Sequence, residues 1–133
     1  MNATQRADTD VVIDDWRGLQ RAYLATAASL DRALEQHHDL GLSEFEILDL
    51  VWESKSDECT MRDIVDLTPM TQSALSRVVD RLTRAGLLKR EECARDRRSM
   101  FVGLTPEGAA VHERARKLYR EVLAQELGAV PTA

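Results

Sequence analysis

At 133 residues the chain has the length of one domain, enough to bury a core and short of two independent ones. Hydrophobic residues make up 44% and charged residues 31%, as in an ordinary globular protein, and no apolar run approaches the length that crosses a bilayer. A net charge of −5 argues at first against a polyanionic partner, yet the charge is unevenly placed: residues 1–70 carry 6 Lys+Arg against 15 Asp+Glu, residues 71–98 carry 8 against 4, and residues 99–133 carry 4 against 4.

An acidic body with one basic segment concentrates attraction at one surface, with chance clustering as the alternative. Cys59 and Cys93 are too few for a disulfide framework, and MNATQRADTD lacks the basic-then-apolar order of a signal peptide. The expectation is a cytoplasmic protein with reduced thiols.

Residues 1–10 are polar and acidic, so they are expected to be disordered ahead of a single domain over 11–133. Val12, Trp16, Leu19, Tyr23, Ala27, Leu30 and Leu34 step by four and three, which predicts a long helix reaching His38, too long for one small domain to cover. Gly41 is expected to end it, and Ser43-Glu44-Phe45-Glu46 to form a capping box for a second helix that buries Phe45, Leu48, Val51 and Trp52. Beyond a polar loop over Ser54–Glu58, Cys59-Thr60 is expected to form a short third strand. Thr60 then caps a helix with Ile64, Val65 and Leu67 turned inward, and Thr68-Pro69-Met70 makes the turn that follows.

Thr71 is a good N-cap and Gly86 a left-handed stop for the next helix. Leu75, Val78, Val79 and Leu82 form its buried stripe, which leaves Gln72, Ser73, Ser76, Arg77, Arg81 and Arg84 on the other faces. Arg77 and Arg81 are like charges one turn apart, an arrangement that an anion would relieve; the plainer reading is a solubilising surface on which Asp80 pairs with Arg84. Leu87–Glu92 and Met100–Leu104 then read as two strands of a hairpin whose tip carries Arg95, Arg97 and Arg98 beside a single Asp96. A helix-turn-helix followed directly by a basic hairpin is the layout of a winged helix, in which the helix reads a major groove and the wing tip reaches a neighbouring minor groove or its phosphates. Last, Thr105-Pro106-Glu107 gives three concordant start signals for a helix with an apolar face of Val111, Ala115, Leu118, Val122 and Leu127, flanked by Tyr119 and Leu123.

The run SRVVDRLTRAGLLKREECARDRRSMFVGLTPEG resembles the MarR family of bacterial transcriptional regulators: VDRL near the end of the recognition helix, then AGLL, a wing with Asp-Arg-Arg, and LTPEG opening the next helix. The resemblance extends from about Trp16 to Leu127. It implies a mainly α fold with a small β wing, a winged helix-turn-helix lobe over 41–105, and dimerising helices over 11–40 and 106–133. It also implies a homodimer on a pseudo-palindromic operator, acting as a repressor relieved by a small, often aromatic, ligand. Family members usually continue into a further C-terminal helix, whereas only GAVPTA follows Leu127 here, so a thinner dimer contact is expected.

Within that frame Gln72, Ser73, Ser76, Arg77 and Arg81 are the candidate contacts from the recognition helix, since Arg can fork onto guanine and Gln onto adenine. Arg95, Arg97 and Arg98 are the wing contacts, of which Arg97 and Arg98 match the family's Asp-Arg-Arg, and Asp96 would orient an arginine through a charge-assisted bond. The resemblance places a ligand pocket between the dimerising helices and the DNA-binding lobe; Trp16, His38, Phe45 and Leu48 are its candidates, with ordinary core packing as the alternative for each. His37, His38, His112, Cys59 and Cys93 are scattered without a C-x-x-C or H-x-x-x-H pair, so no metal or other cofactor is expected, and His37 and His38 are read as cations at a helix end. The family's peroxide sensors carry a cysteine near the start of the first helix, where this chain has none, and the thiols are read as structural. No nucleophile lies near a base and no phosphate-binding glycine loop is present, so an enzyme is not expected. The remaining alternative is a winged-helix module that works through protein contacts alone, a reading that leaves the basic wing beside Arg77 and Arg81 without a purpose.

Overall fold

The computed structural model describes residues 3–54, 60–92 and 100–128. They form α1 (Ala3–His38), α2 (Leu42–Ser54), α3 (Met61–Leu67), α4 (Gln72–Arg84), the hairpin β1 (Leu88–Glu92) and β2 (Met100–Leu104), and α5 (Pro106–Leu127).

α1 begins at Ala3 rather than after residue 10. Residues 3–10 contain no Gly or Pro, and the Thr9 hydroxyl donates to the Gln5 carbonyl at 2.7 Å, so the helical ladder continues through the acidic segment. Its 36 residues span about 54 Å. Only the inner half finds cover: Leu30 and Leu34 are buried, whereas Val12, Trp16, Leu19 and Tyr23 are each more than half exposed.

Asp39, not Gly41, turns the chain out of α1, taking the left-handed conformation at φ 54° that Asp tolerates better than most residues. Gly41 instead precedes α2, its N–H donating to Glu44 Oε1 at 2.9 Å, while the Leu42 N–H donates to Asp31 Oδ1 of α1 at 2.9 Å. That tertiary acceptor takes a first-turn N–H, so the helix starts ahead of the expected Ser43 cap.

α2 is the central strut, meeting α1, α3, α4, β2 and α5. Phe45, Ile47, Leu48 and Val51 of α2 join Leu34, Leu40, Ile64, Leu75, Val78, Val79, Leu82, Leu88, Val102 and Ala115 in one core, with Trp52 half-buried at its edge. α3 is capped as its sequence predicts, with Thr60 Oγ1 accepting from the Asp63 N–H at 3.1 Å and Asp63 Oδ2 accepting from the Thr60 N–H at 3.0 Å. Leu67, expected inward, is 65% exposed. Met61, Ile64, Val65 and Thr68 share one flank of this short helix, and Leu67 falls about 110° from its middle.

β1 and β2 pair antiparallel, with Leu88 opposite Leu104 and Arg90 opposite Val102. The expected third strand is reduced to a single bridge from Thr60 to Phe101, and Cys59 lies outside the described residues. Both roots of the hairpin are clamped. Gly86, at φ 79°, provides the left-handed turn after α4, and its carbonyl accepts from the Thr105 hydroxyl at 2.6 Å. The same hydroxyl oxygen caps α5 by accepting from the Gly108 N–H at 2.9 Å, and the Thr105 N–H donates to the Leu87 carbonyl at 3.1 Å. The glycine of LTPEG is needed because a Cβ there would stand 2.0 Å from the Leu87 carbonyl oxygen.

Candidate nucleic-acid interface

α4 carries its chemistry on the side its core contacts leave free. Thr71 Oγ1 accepts from the Ala74 N–H at 3.2 Å, and Leu75, Val78, Val79 and Leu82 pin the helix to the lobe. Gln72, Ser73, Arg77 and Arg81 are thereby exposed, with Ser76 half-buried among them. These five candidates lie on one helix and one surface, as the sequence pattern predicts. Arg77 Nε donates back to the Ser73 carbonyl at 3.4 Å, which lays the guanidinium along the helix.

The plainer reading of the arginines fails in its ion pair. Asp80 is bound by Arg90 of β1 rather than by Arg84, so the wing root, not the helix itself, neutralises that carboxylate. Arg77, Arg81 and Arg84 then form no ion pair among the described residues, and with Asp80 they line a shallow cleft of about 380 Å³. Arg90 is a member of this surface that sequence reasoning passed over, and Arg84 joins it from the exposed side of α4. The Asp80 partner lies ten residues ahead, across the turn, where helical spacing cannot point.

The wing candidates Arg95, Asp96, Arg97 and Arg98 lie outside the described residues, as does Cys93. What the structure fixes is their approach: β1 leaves α4 through the Gly86 turn, Lys89 and Arg90 are exposed on it, and Lys89 Nζ is 3.2 Å from Glu91 Oε1.

The four residues proposed for a ligand pocket are not brought together. Phe45 and Leu48 have no exposed surface and belong to the core, Trp16 is 59% exposed on the free half of α1, and His38 stands half-buried at the other end of that helix. Burial, then the charges of His37 and Arg114, lower the pKa of His38, so it is not the favoured cation that a helix end alone would make it. A cleft of about 340 Å³ does lie between α1, α5 and the lobe, but Leu19, Tyr23 and Leu30 of α1, Glu46 of α2, and Tyr119 and Leu123 of α5 are among its walls. Burial and then Asp49 raise the pKa of Glu46; burial and then the carboxylates of Glu46, Asp49 and Glu53 raise that of Tyr119. Phe45 lies behind this cleft, its ring 4.6 Å from that of Tyr119.

A helix-turn-helix whose second helix runs into an antiparallel hairpin, on a body of long flanking helices, defines a winged helix-turn-helix protein. Residues 38–99, from the end of α1 through β1 and the segment after it, match the MarR family. The Homoprotocatechuate degradative operon repressor of Escherichia coli is 28% identical over 103 residues, covering 74% of this chain and 68% of that protein. Sco3205, a MarR family transcriptional regulator from Streptomyces coelicolor with a crystal structure in complex with DNA, is 28% identical, with a TM-score of 0.78 over 95% of this chain and 77% of its own. AbsC, another MarR family transcriptional regulator from Streptomyces coelicolor, shares the fold at 24% identity, with a TM-score of 0.80 over 99% of this chain and 84% of its own. The match to the MarR family covers 62 of the 133 residues of this chain. Among the described residues no helix is long and apolar enough to cross a membrane.

Proposed function

We propose that the protein is a cytoplasmic, sequence-specific DNA-binding regulator that acts as a homodimer and represses transcription by occupying promoter DNA. The observation that carries this reading is α4: a helix anchored along one whole side by four buried residues, which presents Gln72, Ser73, Arg77 and Arg81 to solvent with no carboxylate of its own left unpaired among them. Rigid display of bidentate donors is what base readout requires. The exposed apolar stripe of α1 supports a two-fold assembly, which would set two recognition helices on successive major-groove faces of a pseudo-palindromic operator.

Arg95, Arg97 and Arg98 add wing contacts, oriented by Asp96. Release by a small, often aromatic, ligand fits the apolar cleft between α1, α2 and α5, and the Escherichia coli relative makes 3,4-dihydroxyphenylacetate the first compound to try. The protein then acts by binding and carries out no chemical step.

The test is a fluorescence anisotropy titration against the DNA upstream of the protein's own gene, with scrambled DNA as control, at several salt concentrations. Preference of about 10³ or more with a steep salt slope supports the reading. Equal, weak binding to both fragments and to a genomic fragment library would leave a protein-interaction module as the function.

A further inference from the structure

Trp52 of α2 and one side of α5 line a half-open cavity of about 480 Å³. We propose that it is a binding site for a small organic dianion. Its size is that of a ligand pocket. The α5 wall presents Arg116, Lys117 and Arg120 against a single carboxylate, Glu113, so these four side chains together carry a charge of +2.

The three cations are not held by carboxylates. Among the described residues the ion pairs are Lys89 with Glu91, Arg90 with Asp80 and His112 with Asp49, and none involves Arg116, Lys117 or Arg120. Arg116 and Arg120 stand one helical turn apart, where like charges repel unless an anion lies between them.

The floor of the cavity is a built structure. His112 is 1% exposed, its Nε2 lies 2.7 Å from Asp49 Oδ1, and its ring stacks on Trp52 at 4.9 Å and on Phe45 at 5.6 Å. The Arg116 guanidinium lies 4.4 Å from the centre of the Trp52 ring, a cation-π contact that holds its fork in place before a ligand arrives and so reduces the ordering that binding requires.

A wall of +2 selects a doubly charged ligand over a singly charged one. The apolar surface of Trp52 and Ala109 selects an organic body over a bare ion. A phosphate monoester and a dicarboxylate share that chemistry, and an arginine fork accepts either. The site shares no residue with the exposed face of α4 and does not depend on the DNA-binding reading.

The experiment is isothermal titration calorimetry of the full-length protein, without DNA, using phenyl phosphate, phthalate, benzoate and inorganic phosphate. The expected result is that phenyl phosphate or phthalate, the two dianion sources, binds about tenfold or more tightly than benzoate and inorganic phosphate. That binding should weaken about tenfold in Arg120→Gln and in Lys117→Gln, exposed positions whose circular dichroism should match the parent. Equal binding of benzoate, equal binding of inorganic phosphate, insensitivity to both substitutions, or no heat from either dianion at about 10 mM, an affinity too weak to select a ligand, would each overturn the proposal.

Discussion

Asp49 reaches from α2 to set its Oδ1 2.7 Å from Nε2 of His112 on α5, between the rings of Phe45 and Trp52. Because His112 is 1% exposed, its ring nitrogen has no water to fall back on when the carboxylate is removed. Asp49→Ala should lower stability by about 1–3 kcal/mol, a fall of roughly 4–10 °C in Tm. His112→Phe should cost less, since it keeps a ring in the stack and leaves only Asp49, which is partly exposed and can hydrate. Thermal denaturation of the two variants checks the order, and a milder Asp49→Ala would mean that the contact is not what joins the helices.

Gly108→Ala should be among the most damaging single-methyl changes in the chain, because the added Cβ meets backbone at 2.0 Å rather than a side chain that can move. A loss of about 3 kcal/mol or more is expected, against less than about 1 kcal/mol for Gly103→Ala, whose Cβ would press only on the flexible Lys89 chain at 3.2 Å. Denaturant unfolding of both variants gives the comparison.

Arg77→Ala and Arg81→Ala should each weaken operator binding by about 1–3 kcal/mol while leaving Tm within the small range of surface substitutions. In the wing, Arg97→Ala should flatten the salt dependence by about one phosphate contact. Asp96→Ala should weaken binding although it removes a negative charge; tighter binding would refute its orienting role.

Glu46 supplies a pH prediction. Burial and Asp49 raise its carboxyl pKa above 4.5 in the fold, so the folded protein keeps that proton to higher pH than the unfolded chain. Its ionisation therefore destabilises the fold: the penalty is absent below the unfolded value and complete above the folded one. Glu46→Gln should melt higher than the parent at pH 7, with the advantage gone by about pH 4, near the unfolded carboxyl value. An advantage that persists unchanged in acid would point to packing instead of charge.

Leu19→Glu and Tyr23→Glu place charges in the exposed stripe of α1, where each parent side chain is about two-thirds exposed in the protomer. Sedimentation equilibrium should show a dimer in the parent and a shift toward monomer in both variants. Unchanged assembly would remove α1 from the interface.

Where signals are local, the sequence is legible. Thr60, Thr71, Thr105 and Gly86 do in the structure what their residue types predict, and the buried stripe of α4 is correct at all four positions. Where a partner lies far along the chain, it is not. The start of α2 depends on Asp31, eleven residues before Leu42, and the fate of Asp80 on Arg90. Leu67 shows the weakness of a period read over seven residues, since so short a helix leaves the direction of its buried side loosely defined. The family resemblance nominated Phe45 and Leu48 for a pocket without telling a wall from the core behind it, yet the residues around the cationic cavity carried a readable sign in the i, i+4 recurrence of His112, Arg116 and Arg120.

The clamp that joins Gly86, Leu87 and Thr105 separates the evolution of the wing from that of the lobe. Both ends of the hairpin are fixed by bonds at its root: Thr105 to the Gly86 and Leu87 carbonyls, and Leu88 opposite Leu104. Changes in the sequence that joins β1 to β2 then leave these root bonds in place, and chain closure itself costs little more as length grows. Lineages can exchange that segment as a cassette, retuning which DNA is held and how tightly, without first finding stabilising mutations elsewhere.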